Sequence, residues 1–135
     1  MDKLEWSDKY KVGVKKIDDQ HFRIFRMINR LIAEPGITTG SVTVSDMLSD
    51  MTRYAKEHFE TEENLMAEYD YPGLSEQITY HKEFIKQTVS LCTATMLEVE
   101  TVPETILNYL KNWWTNHILE VDMEYRECFK ENGVT

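Results

Sequence analysis

His58 and Glu62 stand four residues apart in a run, Tyr54 to Met66, that holds no Gly or Pro. A helix turns roughly 100° per residue, so both side chains point the same way. An imidazole above a carboxylate on one helical face is a standard way to hold a borderline metal such as iron or zinc. Gln77 and His81 repeat the spacing of four, and Asp122 follows His117 by five. Five residues overshoot the starting direction by about 140°, so His117 and Asp122 converge only if the helix widens between them, as at a one-residue bulge of the kind common at functional sites.

These residues fall on four predicted helices. Helix A starts near Ile17, with Asp18 or Asp19 as its cap, and carries Ile17, His21, Ile24, Phe25, Ile28, Leu31 and Ile32 on one apolar face before Pro35-Gly36 stops it. Residues 35–42 read as a loop. Helix B spans about Thr43 to Tyr69, its apolar face interrupted by His58 and Glu62, and Asp70-Tyr71-Pro72-Gly73 ends it. Helix C begins near Ser75 and runs to about Glu98, with Gln77, His81, Phe84, Ile85, Thr88, Val89, Cys92 and Met96 on one face. Thr101-Val102-Pro103 is the next break. Helix D presents Ile106, Leu110, Trp113, Trp114, His117 and Val121, and Asn132-Gly133 ends the last helical stretch. Residues 1–16 read as an extended arm anchored by Trp6. Short connections between four helices imply an all-α, antiparallel up-down-up-down bundle over residues 17–133, in one domain spanning 1–135.

The alternation of direction decides where the histidines meet. His21 is early in A, His58 and Glu62 late in B, His81 early in C, and His117 and Asp122 late in D. All therefore lie at one level of the bundle. The chain has four histidines, and this slice takes all of them. Left without a cation, so many polar groups in an apolar interior would be a stability defect; bound cations remove it and add their binding free energy to folding. Four imidazoles and two carboxylates exceed the needs of one ion, so two metals are the natural count.

The totals bound the partners. A net charge of −9 argues against nucleic acid and against an anionic membrane, both of which select basic surfaces. A hydrophobic content of 41% over 135 residues supports a folded core. Cys92 and Cys128 show no disulfide-framework spacing and fit a reducing compartment. The N-terminus has no signal-peptide core and no apolar run reaches membrane-spanning length, so a soluble cytoplasmic protein is expected. Cys92 reads as core filler and Cys128 as an exposed thiol near the end of the chain.

Trp6-Ser7 with Val12-Gly13-Val14 and Ile17-Asp-Asp-Gln-His21, then His58-Phe59 with Glu62-Glu63 and Met66, then Tyr71-Pro72-Gly73 before His81, and Trp113 with His117-Ile118 and Asp122, together resemble the bacterial hemerythrins over nearly the whole chain. The resemblance implies a non-haem di-iron protein that binds O2 for storage, delivery or sensing, an oxygen-binding protein rather than an enzyme. It implies two iron ions joined by an oxo or hydroxo group and by Glu62 and Asp122, with His21 and His58 on one iron and His81 and His117 on the other. The iron with fewer histidines keeps an open position for O2, and Phe59, Trp113 and Leu119 match the apolar wall of that pocket. The departure is Gln77, where the family pattern has a third histidine for the second iron. Gln77 as a weak ligand, a water in its place, or entry of Glu76 are the options; Glu76 lies about 100° away from the face of His81, which favours the first two. A labile second iron points to faster autoxidation and to reaction with peroxide or nitric oxide, so a di-iron peroxidase or NO-handling enzyme is one alternative. A structural or regulatory bundle holding zinc or a single iron is the other. The electron donor is not legible in the sequence.

Overall fold

The computed structural model describes residues 2–33, 44–95 and 104–135, the side chains at 44–45 and 92–95 excepted. The expected loop at 35–42, the break at Thr101 to Pro103, Met96 and the side chain of Cys92 lie outside the described residues. Four long helices form the body: α1 (Lys15–Ala33), α2 (Val44–Glu68), α3 (Leu74–Thr95) and α4 (Glu104–Asn116). A π-helical turn (His117–Val121), a 3-10 turn (Asp122–Tyr125) and a short helix α5 (Arg126–Glu131) continue from α4. Helix α1 packs on α2 and α4, and α3 packs on α2 and α4, which closes a ring of four.

The residues buried on α1 are the seven of its 3,4-spaced stripe: Ile17, His21, Ile24, Phe25, Ile28, Leu31 and Ile32. Each large aliphatic or aromatic group removed from water on such a stripe stabilises the fold by about 1.5–3 kcal/mol. Helix α3 keeps a narrower face than the pattern suggests. Gln77, His81, Phe84 and Thr88 are buried, but Val89 is exposed, since it stands about 100° round from Thr88.

The connection from α2 to α3 is short. Asp70 takes a left-handed φ of 53°, and the Tyr71 amide donates back to the Met66 carbonyl at 2.9 Å, a closure typical of helix C-termini. A Cβ on Gly73 would stand 2.6 Å from the Tyr71 ring, so any larger residue here would force that ring to shift.

The N-terminal arm is not fully extended, and the helix starts earlier than expected. A 3-10 turn occupies Asp8–Tyr10, and α1 begins at Lys15, two residues before Ile17. Neither Asp18 nor Asp19 is therefore the cap. Asp18 sits inside the first turns and accepts the amides of Val12 and Gly13 at 2.7 and 3.3 Å, while Asp19 pairs with Lys15. Trp6 stacks on Tyr10 and meets Phe22 and Phe25 edge-on, which anchors the arm over α1.

The apolar interior is divided. One cluster takes in Ile24, Phe59, Phe84, Leu110, Trp114 and Ile118; another takes in Val12, Val14, Ile17, Met66, Tyr125 and Phe129. Between them on every long helix lies the polar slice that holds the histidines. Cys128 is a half-buried free thiol whose S–H points to the Tyr69 carbonyl, rather than an exposed one.

Candidate metal centre

Each candidate ligand is placed by its helix. His21 sits at the end of the second turn of α1. His58 and Glu62 are one turn apart late in α2, Gln77 and His81 one turn apart early in α3. His117 is where α4 gives way to the π turn. There the amide of Asp122 is shared between the carbonyls of His117 and Ile118, so a five-residue closure ties Asp122 back beneath His117. The expected widening thus falls between the two residues that need it.

The six groups form two clusters, His21 with His58 and Glu62, and His81 with His117 and Asp122, each with one donor atom per residue within 4.8 Å of the others. The carboxylates span both. Glu62 Oε1 lies 2.7 Å from His58 Nε2 and 3.8 Å from His81 Nε2. Asp122 presents Oδ2 to His21 Nε2 at 3.3 Å and Oδ1 to His117 Nε2 at 3.2 Å. None of the six is more than 5% exposed.

The outer shell orients the imidazoles. The Gln20 amide oxygen stands 2.6 Å from His58 Nδ1, and the Glu63 carboxylate 2.8 Å from His81 Nδ1. Both acceptors require Nδ1–H, which leaves Nε2 with a bare lone pair facing inward, the form in which histidine binds metal. Tyr125 donates its hydroxyl to Glu62 Oε2 at 2.6 Å. Gln77, also buried, donates its amide N–H to Asp122 Oδ1 at 3.0 Å and places its carbonyl oxygen 3.1 Å from His117 Nε2. Glu76 is exposed, whereas Gln77 is buried.

Electrostatics separate the two clusters in the metal-free chain. Burial pushes His58 and His81 down to about 3, so both are neutral at ordinary pH. Burial, then the Asp122 charge, pushes Glu62 up to about 8. Burial also opposes charge on Asp122 and His117, but their mutual attraction outweighs it: Asp122 is held well below its ordinary range and His117 above its own. A neutral acid in one cluster and an ion pair in the other is how two adjacent buried carboxylates avoid a second negative charge.

The donor set fits metal ions. Among the described residues, six of the eight buried side-chain N and O atoms that lack a hydrogen bond belong to this site: both ring nitrogens of His21, Nε2 of His58 and His81, Glu62 Oε1 and Asp122 Oδ2. His58 Nε2 and Glu62 Oε1 approach to 2.7 Å without hydrogen-bond alignment, as do donor atoms turned toward a third body. Native interiors leave few polar atoms unsatisfied, so this concentration at one level calls for a cation.

The aromatic surroundings differ in part from expectation. Phe59 lies flat on His81, centroids 3.9 Å apart, and Trp113 lies flat on His117 at 4.3 Å. Leu119 is half-buried against the larger apolar cluster. Trp114, which the helical pattern marked only as core, stands 5.9 Å from the His58 ring and 6.4 Å from that of His21. Sequence reasoning missed Gln20, Glu63 and Tyr125 as partners of the site; Gln20 precedes one candidate ligand in the chain and Glu63 follows another, and only the fold says which ring each reaches.

Access is lopsided. A cleft of about 380 Å³ between α2 and α3 is lined by Phe59, Glu63, His81 and Lys82, among others, and a second of about 420 Å³ between α3 and α4 by Tyr80, Tyr109, Trp113 and His117. Both reach the second cluster; His21, His58 and Glu62 are fully buried.

Residues 12–128 match the family described as the hemerythrin HHE cation binding domain. A bacteriohemerythrin of Stenotrophomonas maltophilia is 30% identical over 128 residues, 94% of this chain and 82% of that protein. A myohemerythrin of Riftia pachyptila is 29% identical over 90% of this chain and 89% of its own. A crystal structure of wild-type hemerythrin superposes with a TM-score of 0.80 at 25% identity, covering 93% of this chain and 96% of that one.

Proposed function

The chain belongs to the hemerythrin family, and from that premise we propose that it is a non-haem di-iron protein that binds O2 for storage, delivery or sensing in the cytoplasm. The observation that carries this reading is the pair of buried clusters joined by two carboxylates. His21, His58 and Glu62 would hold one iron and His81, His117 and Asp122 the other, in an oxo- or hydroxo-bridged pair. When bound, such a pair supplies the redox electrons that reversible O2 uptake requires.

The remaining work falls to the chain itself. Gln20 and Glu63 keep the Nδ1 protons outward so that Nε2 is free. The Tyr125 hydroxyl fixes the second oxygen of Glu62. Phe59 and Trp113 cover the ring faces of His81 and His117, and Trp114 stands beside His58. Gln77 offers a neutral carbonyl oxygen beside His117, weaker than an imidazole as a donor. Elemental analysis of purified protein, with a visible spectrum, tests the reading: two irons per chain with the absorption of a coupled ferric pair is expected, and zinc, or one metal per chain, overturns it.

A second reading, reaction with peroxide or nitric oxide, is favoured by one feature. The cluster with Gln77 is the one reached by both surface clefts. It expects the reduced protein to autoxidise faster than its Gln77→His variant in stopped-flow oxygenation. Equal lifetimes of the oxygenated form would leave the O2-binding reading alone standing.

A further inference from the structure

A basic concavity lies apart from the histidine slice. Lys3, Arg23, Arg26 and Arg30 line a cleft of about 610 Å³ along α1, with Asn29 and the side of Met27, and among the described residues no carboxylate lines it. This is a local charge of four positives in a chain whose net charge is −9. At roughly 100° per residue the three arginines fall within about 60° of arc, so α1 presents them as one row. Among the described residues Lys3, Arg26 and Arg30 make no ion pair, and Arg23 rests on the Tyr54 ring, 4.4 Å from its centroid.

One edge of the cleft is fixed by hydrogen bonds. Asn29 accepts the Leu4 amide at 2.7 Å and donates to the Leu4 carbonyl at 2.8 Å, and Leu4 is buried. That reciprocal clamp pins the arm beside α1 and holds Lys3 at the rim. Four cations gathered with no carboxylate among the described lining residues repel one another, and an anion among them converts that repulsion to attraction. Arginine forks match phosphate oxygens two at a time, and a lysine adds a point charge. A volume of this size accommodates a drug-sized molecule and exceeds what a lone phosphate needs.

We infer that the cleft formed by Lys3, Arg23, Arg26 and Arg30 binds a small organic polyphosphate, of the chemical class of nucleoside di- and triphosphates. A flat protein partner fits less well, because a stable interface needs about 1,000 Å² or more and this feature is a pocket. The inference stands apart from the di-iron reading, since none of its residues touches the metal ligands' donor atoms.

Titration calorimetry of the full chain with ATP, in parallel with inorganic phosphate and with adenosine, is the test. The expected result is one ATP per chain, weaker binding as salt rises, weaker binding of phosphate and none of adenosine. The doubly reversed variant Arg26→Glu, Arg30→Glu should bind ATP at least roughly tenfold more weakly, the scale of losing charge-assisted hydrogen bonds. Lys82→Glu, in the cleft beside His81, should bind as the parent does. Both arginines are exposed, and an unchanged circular dichroism melt confirms that the variant folds; a variant that fails to fold is replaced by competition of pyrophosphate against ATP on the parent. ATP bound equally by the reversed variant, or no binding at millimolar ATP, overturns the inference. So does phosphate binding as tightly as ATP, which marks a simple oxyanion site. Self-association in sedimentation that the reversal abolishes, without ATP binding, assigns the face to contact between copies and overturns it as well.

Discussion

The two halves of the histidine slice use the same donor types and reach different states. In the half made by His21, His58 and Glu62, every group is fully buried, the outward partner of His58 is a neutral amide, and Glu62 is held protonated by burial. In the half made by His81, His117 and Asp122, the outward partner of His81 is a carboxylate, the Asp122 charge shifts His117 toward its protonated form against the cost of burial, and surface clefts reach both rings. Ligand identity alone does not set the character of a metal site. Depth sets the two halves apart, and Gln77 stands in the half that the surface clefts approach.

That contrast can be broken outright or tested in parts. Glu62→Ala should have the largest effect, because Glu62, like Asp122, reaches an imidazole in each half; both irons should be lost, as read by metal analysis after dialysis. Retention of one iron would show that the halves bind independently. Gln20→Ala and Glu63→Ala each remove one outward acceptor and should lower metal affinity about 10–100-fold, the usual cost of an outer-shell loss. Competition with a graded chelator should find Gln20→Ala weakening the buried half and Glu63→Ala the accessible one. Tyr125→Phe leaves Glu62 Oε2 without its donor in a fully buried site and should cost about 1–3 kcal/mol in urea unfolding of the metal-free chain.

The pH dependence of the metal-free chain follows from opposite signs. His58 and His81 have folded values lowered from 6.5 to about 3, so their stabilisation is present above 6.5 and is lost as pH falls toward 3. Glu62 is raised from 4.5 to about 8, so its contribution is present below 4.5 and is lost as pH rises through 8. Urea midpoints should therefore peak near pH 6.5 and decline on both sides. A monotonic rise would mean that Glu62 is ionised when buried. The smallest effect is expected far from both halves: Val89→Ser, on an exposed position, should change stability by less than about 0.5 kcal/mol.

Much of this arrangement was legible before any coordinates. The stripe on α1 is pure periodicity, and it was read residue for residue. The common level of the histidines follows from alternating helix direction, and the five-residue gap from His117 to Asp122 demanded a widened turn. The rest depends on contacts that no spacing encodes. Gln20 serves His58 and not its neighbour His21, because it faces α2 across the bundle. Trp113 and Trp114 are adjacent and both aromatic, yet one shields each half, a choice made by about 100° of rotation. Asp18 looked like a cap and is instead a clasp for the arm, since the helix gained its first turn from residues too charged to signal it.

The widened turn after α4 has a genetic reading. Removing any one codon from Ile118 to Val121 would let the segment wind as ordinary α-helix, and the carboxylate, now four residues after His117, would still lie beneath it on the same face. The surplus residue is absorbed within one turn, so a single in-frame deletion there should leave both greasy clusters and the second carboxylate in place.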